Sequence, residues 1–196
     1  MELKHRKSNR LSIYDYNSDG AYFLTVCTQN KEHLLSRIVL KETVVGTDVP
    51  DGPQANREIC IELTEYGKIA EKYINQLNDF YDDISVNDYV IMPNHIHLML
   101  VVGKSGPSRT SVPTELACVE SKRLNLTKQH SIVSKFVSAL KRFSNKESGK
   151  KLWQMRSYDH IIRDGKDYDL HVKYIYENPI KWYFHGEDHD EIILYE

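Results

Sequence analysis

The chain has 196 residues, of which 40% are hydrophobic and 28% charged, with a formal net charge of −2; that is one domain's worth of globular sequence, not a disordered or indiscriminately nucleic-acid-coating one. No apolar run is long enough to span a bilayer, and the basic start MELKHRKSNR leads into no apolar stretch of a secretory signal. Cys27, Cys60 and Cys118 fit neither a zinc spacing nor a disulfide framework, so a reducing cytoplasm without membrane contact is the expected setting.

Residues 21–28 (AYFLTVCT) are rich in β-formers and follow the turn signal Asp19-Gly20, which predicts the first strand. Residues 39–59 mix valine runs with Gly46, Pro50, Gly52 and Pro53, the pattern of a hairpin or a loop excursion. From 66 to 81, apolar residues recur at Tyr66, Ile69, Ala70, Tyr73, Ile74, Leu77 and Phe80. That is a helical period, and Thr64 stands where an N-cap belongs. Residues 84–92 and 95–102 read as adjacent antiparallel strands separated by Pro93-Asn94, and 103–128 as an aperiodic loop.

A second amphipathic helix is expected over 132–143. Ile132, Val133, Phe136, Val137, Leu140 and Phe143 form one side, with Lys135, Lys141 and Arg142 on the other. Residues 152–163 supply a further strand, and 167–178 a third helix that Pro179 should stop. The last stretch, 187–196, is acidic. The first six core elements follow the βαββαβ pattern of a ferredoxin-like α+β sandwich with helices on one face; the last helix is an addition to it. The chain is thus read as one domain over 1–196, with a core of about 20–182 and long loops near 37–60 and 103–128.

The sharpest chemical signal is Met92-Pro93-Asn94-His95-Ile96-His97-Leu98. Residues i and i+2 of a strand share a face, about 6.5–7 Å apart, so His95 and His97 can converge on one metal or one phosphate and are expected to open onto a cleft on the face away from the first two helices. The bland alternative is two partly buried histidines packed under helices. No H-E-x-x-H motif and no cysteine cluster offers a third ligand. On the third helix, Tyr168, Val172 and Ile175 share an apolar face, while Tyr174 and Asn178 fall together on another with His171. This places a phenol beside an amide, directed away from the expected core, with Tyr176 nearer the apolar face.

Four segments together, Y-F-L-T-V-C-T, Y-V-I-M-P-N-H-I-H-L-M-L, W-Q-M-R-S-Y-D-H-I-I-R and Y-I-Y-E-N-P, resemble the REP-associated tyrosine transposases. That family lies within the single-tyrosine HUH transposases of small insertion sequences, and the resemblance runs from about Tyr22 to Trp182. It implies a metal-binding pair at His95 and His97, a nucleophile at Tyr174, and completion of the metal site by Asn178. The implied activity is metal-dependent nicking and joining of single-stranded or hairpin DNA through a 5′-phosphotyrosine, with Mg²⁺ or Mn²⁺ as cofactor.

Between Glu120 and Lys151 nine lysines and arginines stand against two acids, so a local basic surface is available despite the overall charge. The residues read as DNA contacts are Lys4, Arg6, Lys7 and Arg10 at the N-terminus, and Lys135, Lys141 and Arg142 on the second helix. Trp153 and Tyr158 could stack on bases, but are read as core packing. Two other readings stay open: a descendant that binds hairpin DNA without cutting it, and a histidine-triad-like nucleotide hydrolase, whose third histidine would fall on Met99. A monomer and a homodimer are equally compatible with the sequence.

Overall fold

The computed structural model describes residues 18–45, 54–103 and 131–186. In chain order these form β1 (Gly20–Cys27), a short 3₁₀ turn, β2 (Ser36–Val45), β3 (Gln54–Leu63), α1 (Glu65–Phe80), β4 (Ile84–Ile91), β5 (His95–Val102), α2 (Ile132–Ser148), β6 (Tyr158–Ile161) and α3 (Gly165–His185). Four strands make one antiparallel sheet in the order β4-β5-β1-β6, and β2 pairs with β3 in a separate two-stranded ribbon. With that ribbon set aside, the order is βαββαβ with both middle strands, β5 and β1, contributed by non-consecutive elements. This is the expected ferredoxin-like α+β sandwich with an added C-terminal helix.

Of the two readings left open for residues 39–59, the hairpin is what forms, its partners running from Ser36 opposite Leu63 to Val45 opposite Gln54. The region read as a loop near 37–60 is therefore mostly paired strand.

Strand alternation divides the core. Tyr22, Leu24 and Val26 of β1, with Ile96, Leu98 and Leu100 of β5, point to the face covered by α1 and α2. Phe23 of β1 and Met99 of β5 point to the other face, which α3 covers with Ile38 and Ile61 of the ribbon alongside. The two covering helices begin as their sequences dictate: Thr64 accepts a hydrogen bond from the Gly67 amide, and Ser131 one from the Ser134 amide. α1 also approaches the chain at Leu35 so closely that a Cβ on Gly67 would collide with the Leu35 carbonyl. Beyond the expected end, α2 continues to Ser148 and closes at Gly149 in the left-handed conformation.

Three expectations at the C-terminal side need correction. Only 158–161 of the predicted strand over 152–163 joins the sheet. Trp153 instead bridges to Thr28 and is buried in the core, its indole donating to Ser144 Oγ at 2.7 Å. Tyr158, also read as core packing, is exposed. Pro179 does not stop α3, which runs on to His185. A proline forfeits one backbone hydrogen bond, but tertiary contact beyond it offsets that loss. Trp182 packs on the second core and faces the rings of His33 and His95 at 5.6 and 6.0 Å. Glu177 also pairs with Lys181 across the proline at 2.9 Å.

Candidate metal and nucleophile site

The face of the sheet beneath α3 is polar at its centre. Register places Thr25 of β1 directly opposite His97 of β5, and Cys27 opposite His95. The imidazoles of His95 and His97 lie 4.5 Å apart between centroids. Each has its Nδ1 engaged by a neighbour: His95 meets Asn94 Oδ1 at 2.6 Å, and His97 meets Thr25 Oγ1 at 2.9 Å. This fixes both rings through Nδ1, as second-shell partners do for metal-ligating histidines.

Nε2 of His97 is buried and makes no hydrogen bond. Leaving such an atom unsatisfied costs about 1–3 kcal/mol. Burial, and after it the neighbouring His95 and His171, pushes the His97 imidazole well below its ordinary pKa. The ring is therefore neutral at neutral pH, the form that can donate a lone pair.

The third helix closes over this pair. Tyr174 faces His97 with ring centroids 5.1 Å apart, and both rings contact Phe23, at 6.1 and 5.0 Å. Asn178, one turn beyond Tyr174, is buried on the same side of α3, as is His171 one turn before it. Four residues separated by up to 83 positions in sequence, His95, His97, Tyr174 and Asn178, thus meet on one face of the sheet. Two imidazoles and an amide are a donor set that would suit Mn²⁺ and tolerate Mg²⁺, and the unsatisfied Nε2 of His97 is compatible with such an ion.

Three expectations about the site are corrected. The histidines were expected to open onto a cleft, but both are buried under α3. Tyr174 and Asn178 were expected to point away from the core, whereas Tyr174 is only 5% exposed and Asn178 is equally enclosed. Tyr176, read as nearer the apolar face, is 67% exposed, its hydroxyl donating to Asp88 at 2.8 Å. One cause underlies the last two. At 100° per residue the covered arc of α3 runs from Tyr174 through Asn178, His171 and Ile175 to Val172, and Tyr176 lies outside it. The arc is wider than its apolar part because the sheet opposite offers polar partners.

The cationic candidates are not brought to this site. Lys135, Lys141 and Arg142 sit on α2, across the sheet from the histidines. Lys141 Nζ donates to the carbonyls of Gln154, Met155 and Arg156 at 3.0 to 3.3 Å, which fixes that turn. Arg142 lies over the Phe143 ring, and Lys135 borders a surface cleft with Asp19 and Asp83. Lys4, Arg6, Lys7 and Arg10, the stretch 104–130 and the acidic stretch 187–196 fall outside the described residues. Residues missed in the sequence reading are Asn94 and Thr25, which orient the histidines, and Phe23, Trp182 and Lys181, which border them and Tyr174. A signal existed for Thr25: it is the polar position in an otherwise apolar strand, at the parity of Phe23.

No described helix is long and apolar enough to cross a membrane. No family model matches the chain. It is 29% identical over 182 residues to an uncharacterized protein of Haemophilus influenzae, covering 92% of this chain and 91% of that protein. It is 26% identical over 126 residues to a REP-associated tyrosine transposase of Escherichia coli, a match spanning 64% of this chain and 61% of that protein. Its fold matches that of a REP-associated tyrosine transposase solved bound to a REP hairpin, with a TM-score of 0.51 at 20% identity, covering 92% of this chain and 74% of the other. The resemblance seen in the sequence motifs to REP-associated tyrosine transposases therefore holds over most of the chain, in sequence and in fold.

Proposed function

We propose that this chain nicks and rejoins single-stranded, hairpin-forming DNA, with Tyr174 as nucleophile and a divalent cation held by His95, His97 and Asn178. The observation that carries the reading is the convergence of β5 and α3: His97 and Tyr174 lie 5.1 Å apart between ring centroids, and the enclosed His97 Nε2 lacks a hydrogen-bond partner. The names of the similar transposases, one of them bound to a hairpin, support the substrate class.

A bound Mg²⁺ or Mn²⁺ would polarise the scissile phosphate and stabilise charge on its oxygens. The chain's own residues do the rest. Asn94 and Thr25 hold the two imidazoles through Nδ1, and Asn178 lies buried on α3 one turn beyond Tyr174. The Tyr174 phenol oxygen bonds to phosphorus and its proton passes to solvent. The bond from phosphorus to the 3′ oxygen breaks, and that oxygen leaves as a 3′-OH after taking up a proton. The DNA 5′ end stays on Tyr174 as a phosphodiester, so attack by a 3′-OH reverses the step and rejoins strands without ATP. An unperturbed phenol has a pKa of about 10, so a bound cation would supply the assistance that Tyr174 needs to react at neutral pH.

Because Tyr174 is enclosed, a phosphate would reach it only through an opening of this site. That same enclosure supports a second reading, a hairpin-binding protein that does not cut. A denaturing gel with labelled hairpin DNA distinguishes them. Nicking chemistry gives a cation-dependent band that survives denaturation in the wild type and disappears in Tyr174→Phe, with hairpin binding retained. Retarded DNA on a native gel with no covalent band from any bound hairpin would favour the second reading.

A further inference from the structure

A second cluster of ligand-type side chains lies beside the first without sharing a residue with it. His160 comes from β6, and Asp167 and His171 from the first two turns of α3. Among the described residues these three bring one ligand atom each to within 4.8 Å of one another. His160 Nε2 lies 3.1 and 3.0 Å from the two carboxylate oxygens of Asp167, and His171 Nδ1 lies 3.0 Å from Oδ1. The two imidazoles stack at 4.6 Å with 20° between their planes. Phe23 separates this group from the first site, its ring 4.7 Å from His171 and 5.0 Å from His97.

We infer that His160, Asp167 and His171 form a second metal site, for a first-row divalent ion such as Zn²⁺. Bonds from such an ion to imidazole nitrogen and carboxylate oxygen are about 2.0–2.2 Å long, which sets neighbouring ligand atoms roughly 2.8–3.6 Å apart across octahedral and tetrahedral geometry. The nitrogen-to-oxygen edges of the cluster already have that length. Two nitrogens and one carboxylate leave the remaining positions to water, and the His160 side chain, 29% exposed, borders the entry side. Without an ion the trio is held by shared protons, and His171 Nδ1 also meets the Asp167 carbonyl at 2.8 Å. Ion uptake exchanges those protons for the metal and gives up that carbonyl contact, so it releases protons. The ion would tie β6 to the start of α3 and so brace the helix that bears Tyr174 and Asn178. This inference does not depend on the nicking chemistry.

The test uses Co²⁺ on the full chain carrying His95→Ala and His97→Ala, so that the first pair contributes nothing. One equivalent should bind with visible d–d absorption, proton release and a rise in melting temperature. Adding His160→Gln should weaken that binding by roughly 10- to 100-fold or more, with an unchanged circular dichroism spectrum confirming the fold. His160 is the residue to change because Asp167 also accepts from the Arg163 amide at the start of α3, so its loss would unsettle the helix. If the His95→Ala/His97→Ala chain takes up no Co²⁺, or if the equivalent persists with His160→Gln, the second site is overturned. Uptake of one equivalent by the wild type alone would overturn it and leave the first pair standing.

Discussion

The two faces of the four-stranded sheet are made by alternate residues of the same strands, yet they bury different chemistry. Ile96, Leu98 and Leu100 of β5 go to the side covered by α1 and α2, where Phe136, Leu140, Ile74 and Trp153 complete an apolar core. His95 and His97 go to the side covered by α3, where the partners are Thr25, Tyr174, Asn178 and a smaller apolar group around Phe23 and Ile175. Burying apolar surface stabilises by roughly 25 cal/mol per Å², whereas a buried imidazole returns little beyond its own hydrogen bond. The first face therefore supplies the stability that lets the second hold polar groups out of water. Strand parity is enough to keep the two tasks apart.

The greatest contrast should come from His95→Ala combined with His97→Ala. Cation-dependent nicking of hairpin DNA should be abolished while the melting transition stays cooperative, because α1 and α2 keep their core. Cleavage at the wild-type rate in that variant would break the division between the faces. The mirror-image change is Phe136→Ala on the apolar face, where the ring is fully buried. It should cost about 3–5 kcal/mol in a denaturant titration, while whatever protein remains folded at low temperature still forms the covalent adduct.

A smaller effect separates the faces by pH. His97 is held well below the ordinary imidazole value of about 6.5 by burial, then by His95 and His171. Below that pH the unfolded chain binds a proton that the folded chain refuses, so the stability tied to the neutral ring is complete above about 6.5 and is lost as pH falls toward the depressed folded value. Denaturation of the metal-free protein should become easier over that window, and His97→Gln should flatten the dependence. An unchanged slope in that variant would assign the effect to other groups. The smallest change expected is from Tyr176→Phe, which removes one exposed hydrogen bond to Asp88. It should cost at most about 1 kcal/mol and leave adduct formation intact, since Tyr176 is exposed and reaches the edge strand β4 rather than the histidines that Tyr174 meets.

The parts legible in advance are those whose signal is local. The helical periods of α1 and α2, Thr64 as a cap and the alternation around His95 and His97 all depend on residues within a few positions of one another. The packing of α3 was harder. Its apolar stripe of Tyr168, Val172 and Ile175 does contact the second core, but the adjoining stripe of His171, Tyr174 and Asn178 is buried more completely. A helix read by its own hydropathy assigns that polar stripe to solvent. The assignment fails when the surface opposite is itself polar, a property written in Thr25, His95 and His97, more than seventy positions earlier in the case of His97.

The sequence by itself determined the βαββαβ order, the parity that sends both histidines to one face, and the four-residue spacing that sets Asn178 beside Tyr174, because strand and helix periods are fixed by backbone geometry. Tertiary structure alone decided that α3 continues past Pro179, that its polar side turns inward over the histidines, and that Lys141 and Arg142 lie across the sheet from them. Those outcomes depend on which surfaces meet: Trp182 finding His33 and His95, and a polar patch finding polar partners, are contacts between distant segments that no local period encodes.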